Sequence, residues 1–189
     1  MEAAIITTLI LLILFALLAT YDGLYLHLVK YRLYEHADSR FEHITHTVRA
    51  ILFPLTLIFF YLSRGDLFFY IGLVLILLDI LALGIDAYSE KESRNFMGGL
   101  PQREYILHLF VNGFHFAAIS VFLVLKLKIN ENGIEIVHNA DNISNYPTFV
   151  WFVQNLIPGA VMMGLLHTAL IFKAIKKRWN AVLNKFSDN

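Results

Sequence analysis

The sequence of 189 residues contains no cysteine, which excludes disulfides, thiolate metal ligands, iron–sulfur clusters and a cysteine nucleophile. It also lacks net charge, with fifteen basic and fifteen acidic side chains, so nothing in the composition favours binding to nucleic acid. Hydrophobic residues, in contrast, make up 58% of the chain, and the mean hydropathy is +0.61. These values are typical of an integral membrane protein.

Five apolar segments predict an all-α integral membrane protein, with five transmembrane helices bundled in a single membrane domain over residues 1–189. The predicted spans cover about 3–27, 44–63, 67–88, 104–125 and 147–172. The second segment is charge-free only from Ala50 to Ser63, so a full crossing must extend back towards Ile44 and carry His46 to membrane depth.

The distribution of basic residues predicts the orientation of the bundle. Twelve of the fifteen Lys and Arg residues fall on one side, which places the N-terminus outside and the C-terminus in the cytoplasm. The outer loop, residues 127–146, contains Asn132-Gly133 between short alternating stretches, which predicts a small β-hairpin. The same loop holds His138 and a glycosylation sequon that begins at Asn142. We therefore expect a multi-pass protein of the inner or plasma membrane, surrounded by membrane lipids.

Seven of the eight histidines, with several carboxylates, fall at or near the predicted cytoplasmic ends of the helices. Ionisable groups are costly at membrane depth, so their convergence indicates a functional site. On the fourth span, Glu104, His108, Asn112 and His115 are spaced four, four and three apart and share one helix face.

Imidazole and carboxylate donors without thiolate suit iron, zinc or manganese, and their number here fits two metal ions. The predicted metal ligands are His27, His43, His46, Asp86, Glu104, His108, His115 and His167. The predicted supporting residues or proton carriers are Asp22, Asp79, Glu42, Asn112 and Arg49.

Three further expectations concern individual residues. Asp22 and His27 are five apart, so on an α-helix we expect only one of them to face the site. An alternative role for Asp79 and Asp86 is to pair with Arg49 or Arg94. The segment after the third span carries Gly98-Gly99 and is predicted to be a loop through which substrate enters, with Glu90, Arg94 and Arg103.

The leading hypothesis for function is a membrane metalloenzyme with a dinuclear centre, iron first, that faces the cytoplasm and oxidises a lipid-soluble substrate. An external electron donor would be required, because the sequence contains no nucleotide-binding loop. Three alternatives stay open at this point: a zinc-dependent intramembrane hydrolase, a transmembrane haem b electron-transfer protein, and a proton or metal-ion transporter.

Overall fold

A computed structural model describes residues 1–131, 133–137 and 143–187. The helices are α1 (Glu2–Thr20), α2 (Arg40–Thr56), α3 (Asp66–Ser93), α4 (Gln102–Lys126), α5 (Tyr146–Ala169) and α6 (Lys173–Ser187). Two of them continue as wider π-helix, α1 through Tyr21–Lys30 and α2 through Leu57–Tyr61. Short 3₁₀ turns cover Leu33–Glu35 and Asn95–Met97, and the two strands are β1 (Leu127–Asn130) and β2 (Gly133–Ile136).

Five helical segments are long and apolar enough to cross a membrane, as the all-α prediction requires. The helices nevertheless extend beyond the predicted spans at one end of the bundle. The first runs on to Lys30, the second begins at Arg40, and α3 continues to Ser93. We call this end, where α1, α3 and α5 finish and α2 and α4 begin, the polar end.

An aromatic core fills the opposite half of the bundle. The Phe60 ring lies 5.6 Å from Phe69 and 5.3 Å from Phe122, and Phe122 stacks on Phe149 at 5.2 Å. All four of these side chains are fully buried. Edge-to-face and offset ring pairs at these separations stabilise packing beyond simple area burial, so this half forms the rigid base of the bundle.

Helix α3 packs against the π-helical end of α2 at a glycine. A Cβ atom on Gly72 would lie 2.8 Å from Phe60 Cα, which is backbone and cannot rotate away. We expect Gly72→Ala to lower the free energy of unfolding by about 1–3 kcal/mol, the usual cost of overpacking. Gly84→Ala on the same helix is the matched control, since its Cβ would meet nothing within 4 Å. Detergent unfolding titrations of both variants measure the difference, and equal stabilities would contradict this packing.

The predicted β-hairpin is confirmed, with β1 and β2 antiparallel and Asn130 paired with Gly133. Three residues of the predicted outer loop, Asn132, His138 and Asn142, lie outside the described residues.

The structure adds a C-terminal helix, α6, beyond the five predicted spans. Lys176 Nζ donates to the Tyr34 carbonyl at 2.5 Å, and Trp179 Nε1 donates to the Leu28 carbonyl at 3.4 Å. Burial in this contact lowers the pKa of the Lys176 ammonium group. Helix α6 is therefore held against the end of the first helical span by side-chain contacts.

Candidate metal centre

The π-helical winding after α1 brings Asp22 and His27 to the same side. Hydrogen bonds from residue i to i+5 make five residues close to one turn, where an α-helix would separate them. The His27 Nε2 atom lies 3.4 Å from Asp22 Oδ1, and both residues are buried. The expectation that only one of them faces the site was therefore wrong, because it assumed α-helical geometry.

Two helical segments, the π-helical end of the first span and α4, contribute to one buried group of potential metal ligands at the polar end. Asp22, His27, Glu104 and His108 each offer a donor atom, and the four atoms lie within 4.8 Å of one another. The His108 Nε2 atom is 3.1 Å from Asp22 Oδ1, and His27 Nε2 is 3.5 Å from Glu104 Oε1. Helix α4 therefore faces the π-helical segment across this group.

A second group with the same spacing consists of His27, Glu42 and His46. The His27 and His46 rings meet edge to face, with centroids 4.2 Å apart. Since His27 belongs to both groups, the two are adjacent. Each imidazole nitrogen binds one metal, so the groups could hold two ions if Nε2 and Nδ1 of His27 each served one of them.

Unpaired atoms in these groups fit metal binding. Glu42 Oε1, Glu104 Oε2 and His27 Nδ1 are buried and have no hydrogen-bond partner among the residues that the structure describes. Buried polar atoms normally have a hydrogen-bond partner or a ligand, so these unpaired atoms are available to bind an ion. Their chemistry, carboxylate oxygen and imidazole nitrogen, suits a transition metal.

Arg94 lies inside this region and not in a solvent loop. Its side chain is fully buried; Nη1 donates to Glu42 Oε2 at 2.5 Å, and Nη2 donates to Glu104 Oε1. Arg94 was predicted to belong to a substrate loop, but it directly follows α3, which continues to Ser93, and its guanidinium lies between two carboxylates. Arg94 thereby orients Glu42 and Glu104 while leaving one oxygen of each free.

The other two residues of that predicted loop differ in position. Glu90 lies on α3, half-buried, with its Oε1 atom 2.5 Å from His108 Nδ1. It therefore lies beside the first candidate ligand group, through His108. Arg103 is exposed and lines a surface cavity of about 360 Å³ between α4 and the end of the first span, together with Glu104.

Asp86 orients a histidine and stands in neither ligand group. It accepts a hydrogen bond from Thr45 Oγ1, and the same oxygen lies 3.0 Å from His46 Nδ1. A carboxylate on one imidazole nitrogen fixes the ring and leaves the other nitrogen for a metal. The alternative that Asp86 pairs with an arginine is replaced by this contact.

We use the name end cluster for the candidate ligands at the polar end and the charged residues that contact them: Asp22, His27, Glu42, His46, Asp86, Glu90, Arg94, Glu104 and His108.

His115, predicted as a ligand, joins a different group of polar residues. Its Nε2 atom lies 3.1 Å from Asp79 Oδ2, while Arg49 Nε donates to Asp79 Oδ1 at 3.1 Å. Arg49 Nη2 also donates to Asn112 Oδ1 at 2.9 Å. The alternative pairing of Asp79 with Arg49 is confirmed. We call Arg49, Asp79, Asn112 and His115 the mid-bundle cluster.

The remaining predicted ligands form a separate pair. His43 Nε2 lies 3.2 Å from the His167 carbonyl oxygen, and the two rings stack with centroids 5.5 Å apart. Neither His43 nor His167 belongs to a group of described residues that could hold a metal ion together. His36 stacks on Phe96, with centroids 3.7 Å apart.

A cavity of about 290 Å³ connects the two clusters. Its lining includes Asp22 and His46 of the end cluster and Arg49, Asp79 and His115 of the mid-bundle cluster. Apolar residues of α1 and α5 supply most of the remaining wall. This arrangement of an apolar wall with a few polar groups is usual for small-molecule sites.

Comparisons with known proteins supply no family: no family model, no curated protein and no solved structure matches this chain.

Proposed function

We propose that this chain is a membrane-embedded metalloenzyme whose end cluster binds two transition-metal ions and oxidises a lipid-soluble substrate. The observation that carries the proposal is the pair of donor groups that share His27, in which every residue but the partly buried His46 is buried. Iron is the first choice, because an all-nitrogen and oxygen ligand set with open positions suits oxygen chemistry.

The charge of the end cluster supports bound cations. Asp22, Glu42, Asp86 and Glu104 are buried, Glu90 is half-buried, and the one arginine among them is Arg94. If all five carboxylates are ionised, four negative charges are left uncompensated in a low-dielectric region, which is costly. Two divalent ions would balance these four negative charges. If the cluster were a proton relay without metal, protonated imidazoles would have to balance them instead.

The proposed reaction balances with dioxygen as the oxidant. One oxygen atom of dioxygen is inserted into a C–H bond of the substrate. The other is reduced to water, which consumes two electrons and two protons. An external donor supplies those electrons, because the chain has no thiol and no nucleotide-binding loop. Bound iron would supply oxygen activation, whereas bound zinc would instead activate water for hydrolysis. The excess of basic residues on one side supports a cytoplasmic location for the end cluster.

The chain's own residues have distinct parts in this proposal. Asp86 holds the His46 ring, and Arg94 holds Glu42 and Glu104, so the ligands are positioned before a metal binds. The cavity beside Asp22 and His46 gives an apolar molecule access to them.

The haem alternative is less favoured by the geometry. Axial histidines on facing helices need a gap wide enough for a porphyrin. The His27 and His46 rings are already in contact, as are those of His43 and His167. A haem bound between either pair would therefore require the two rings of that pair to separate.

Metal analysis of detergent-purified protein, prepared without chelator, tests the proposal directly. We expect about two transition-metal ions per chain and no Soret band, and we expect His108→Ala and Glu104→Ala each to lose the ion of the first group and keep about one per chain. His36→Ala is the matched control, because His36 stacks on Phe96 away from both donor groups and should keep its metal.

Retention of stoichiometric metal in both ligand variants would overturn the proposed site. A Soret band would favour the haem protein instead. Absence of metal and haem from the wild-type protein would leave the proton relay as the better account.

A further inference from the structure

The mid-bundle cluster lies deeper in the bundle than the end cluster. Asp79 precedes Asp86 by seven residues on α3, and His115 follows His108 by seven on α4. At 1.5 Å per residue, each pair is separated by about 10 Å along the helix axis. The two clusters are therefore two polar layers.

The cavity between these layers opens sideways. Its lining includes Thr20 at the end of α1, and Gly159 and Met162 on α5, all three of which are exposed on the outside of the bundle. Met162 is 67% exposed. Because these residues lie within segments apolar enough to span a membrane, the opening between α1 and α5 faces lipid.

The mid-bundle cluster has hydrogen-bonding capacity left but no net charge. Arg49 and Asp79 neutralise each other. The His115 Nδ1 atom is buried and has no partner among the described residues, and His115 lines the cavity beside Phe15. A ligand with a neutral oxygen could bond here without adding a buried charge, whereas a charged one would have to be desolvated.

We propose that the cavity binds a neutral amphiphile, such as a long-chain alcohol or ketone, with its oxygen hydrogen-bonded at His115 and Arg49. The apolar part of the ligand fills the cavity, passes next to Asp22 and His46 of the end cluster, and extends out of the bundle between α1 and α5. The identification of this ligand as substrate rests on the proposed function, but its binding does not depend on metal.

Photolabelling in phosphatidylcholine nanodiscs tests this binding. The probe is a long-chain alcohol with a diazirine in its chain, compared with the same chain ending in a methyl group or a carboxylate. We expect the alcohol to label α5 near Met162 and the other two probes to label it at least fivefold less. Loss of one hydrogen bond in His115→Phe should reduce labelling about fivefold.

Gly159→Phe tests the same cavity without removing a polar group. Its new side chain has room, since nothing lies within 4 Å of the Cβ position, and it should obstruct the opening and reduce labelling at least tenfold. Gly113→Phe is the matched control: this exposed α4 glycine also has nothing within 4 Å and does not line the cavity.

Equal labelling of the wild type, His115→Phe and Gly159→Phe would overturn the binding site. Labelling by the methyl-terminated probe equal to that by the alcohol, or preference for the carboxylate, would overturn the neutral oxygen head. Metal content measured in the same samples separates this inference from the metalloenzyme proposal. Selective labelling of protein without metal would refute only the latter.

Discussion

Replacing Arg94 with leucine is expected to lower the free energy of unfolding by about 3–5 kcal/mol, the usual cost of breaking a buried ion pair from one side. The Arg94 side chain is fully buried between Glu42 and Glu104. Leucine fills part of the space but leaves both carboxylates without their common cation. Unfolding titrations in detergent, with no added metal, measure this loss.

Arg103→Leu is the matched control, because Arg103 is an exposed arginine next to Glu104 in the sequence. We expect it to change stability by less than 0.5 kcal/mol. Adding Glu42→Gln to Arg94→Leu should restore part of the lost stability, since one uncompensated carboxylate is then removed. If Arg94→Leu were as stable as Arg103→Leu, the two glutamates would not depend on the guanidinium for charge balance.

Much of the architecture could be predicted from the sequence, because the thickness of a bilayer fixes the length of a spanning helix. Five apolar segments gave five helices, and their alternation placed His46, Asp86 and His108 at one end of the bundle. The hairpin followed from the turn chemistry of Asn-Gly. The side of the membrane on which each end lies remains a prediction from the basic residues.

The rotation of residues within the site could not be predicted in the same way. Asp22 and His27 share a side only because the segment winds as a π-helix, and nothing in an apolar sequence distinguishes that winding from an α-helix. Arg94 was placed in a loop because charged residues near a span end usually meet solvent. Only the packing of α3 beyond Tyr88 shows that its charge is buried.

The spacing placed His115 and Asp79 deeper than the other polar residues but did not predict that they form a separate cluster. His108 and His115 share a face, which suggested one site, yet seven residues along a helix are about 10 Å.

The sequence also contained a pattern that predicts helix α6. Ile175, Trp179, Val182 and Phe186 are spaced four, three and four apart among lysines, which is the pattern of an amphipathic helix.

Replacing His27 with glutamine is expected to remove both metal ions, because His27 is the residue common to the two donor groups. Glutamine keeps a polar side chain of similar reach but has no imidazole nitrogen to offer as a ligand. His46→Gln should remove only the ion of the second group and leave about one per chain. Elemental analysis of the two variants, beside His36→Gln as a matched control, measures this difference.

The comparison between the two histidines distinguishes a shared centre from two separate sites. In a shared centre, His27→Gln must retain less metal than His46→Gln, since it removes a ligand from both groups at once. Size-exclusion profiles and unfolding midpoints close to the wild type would show that metal loss does not come from misfolding. Equal loss of one ion in both variants would contradict the shared centre. His27 would then serve one ion only, and its contact with the other group, at 4.2 Å between ring centroids with His46, would be packing alone.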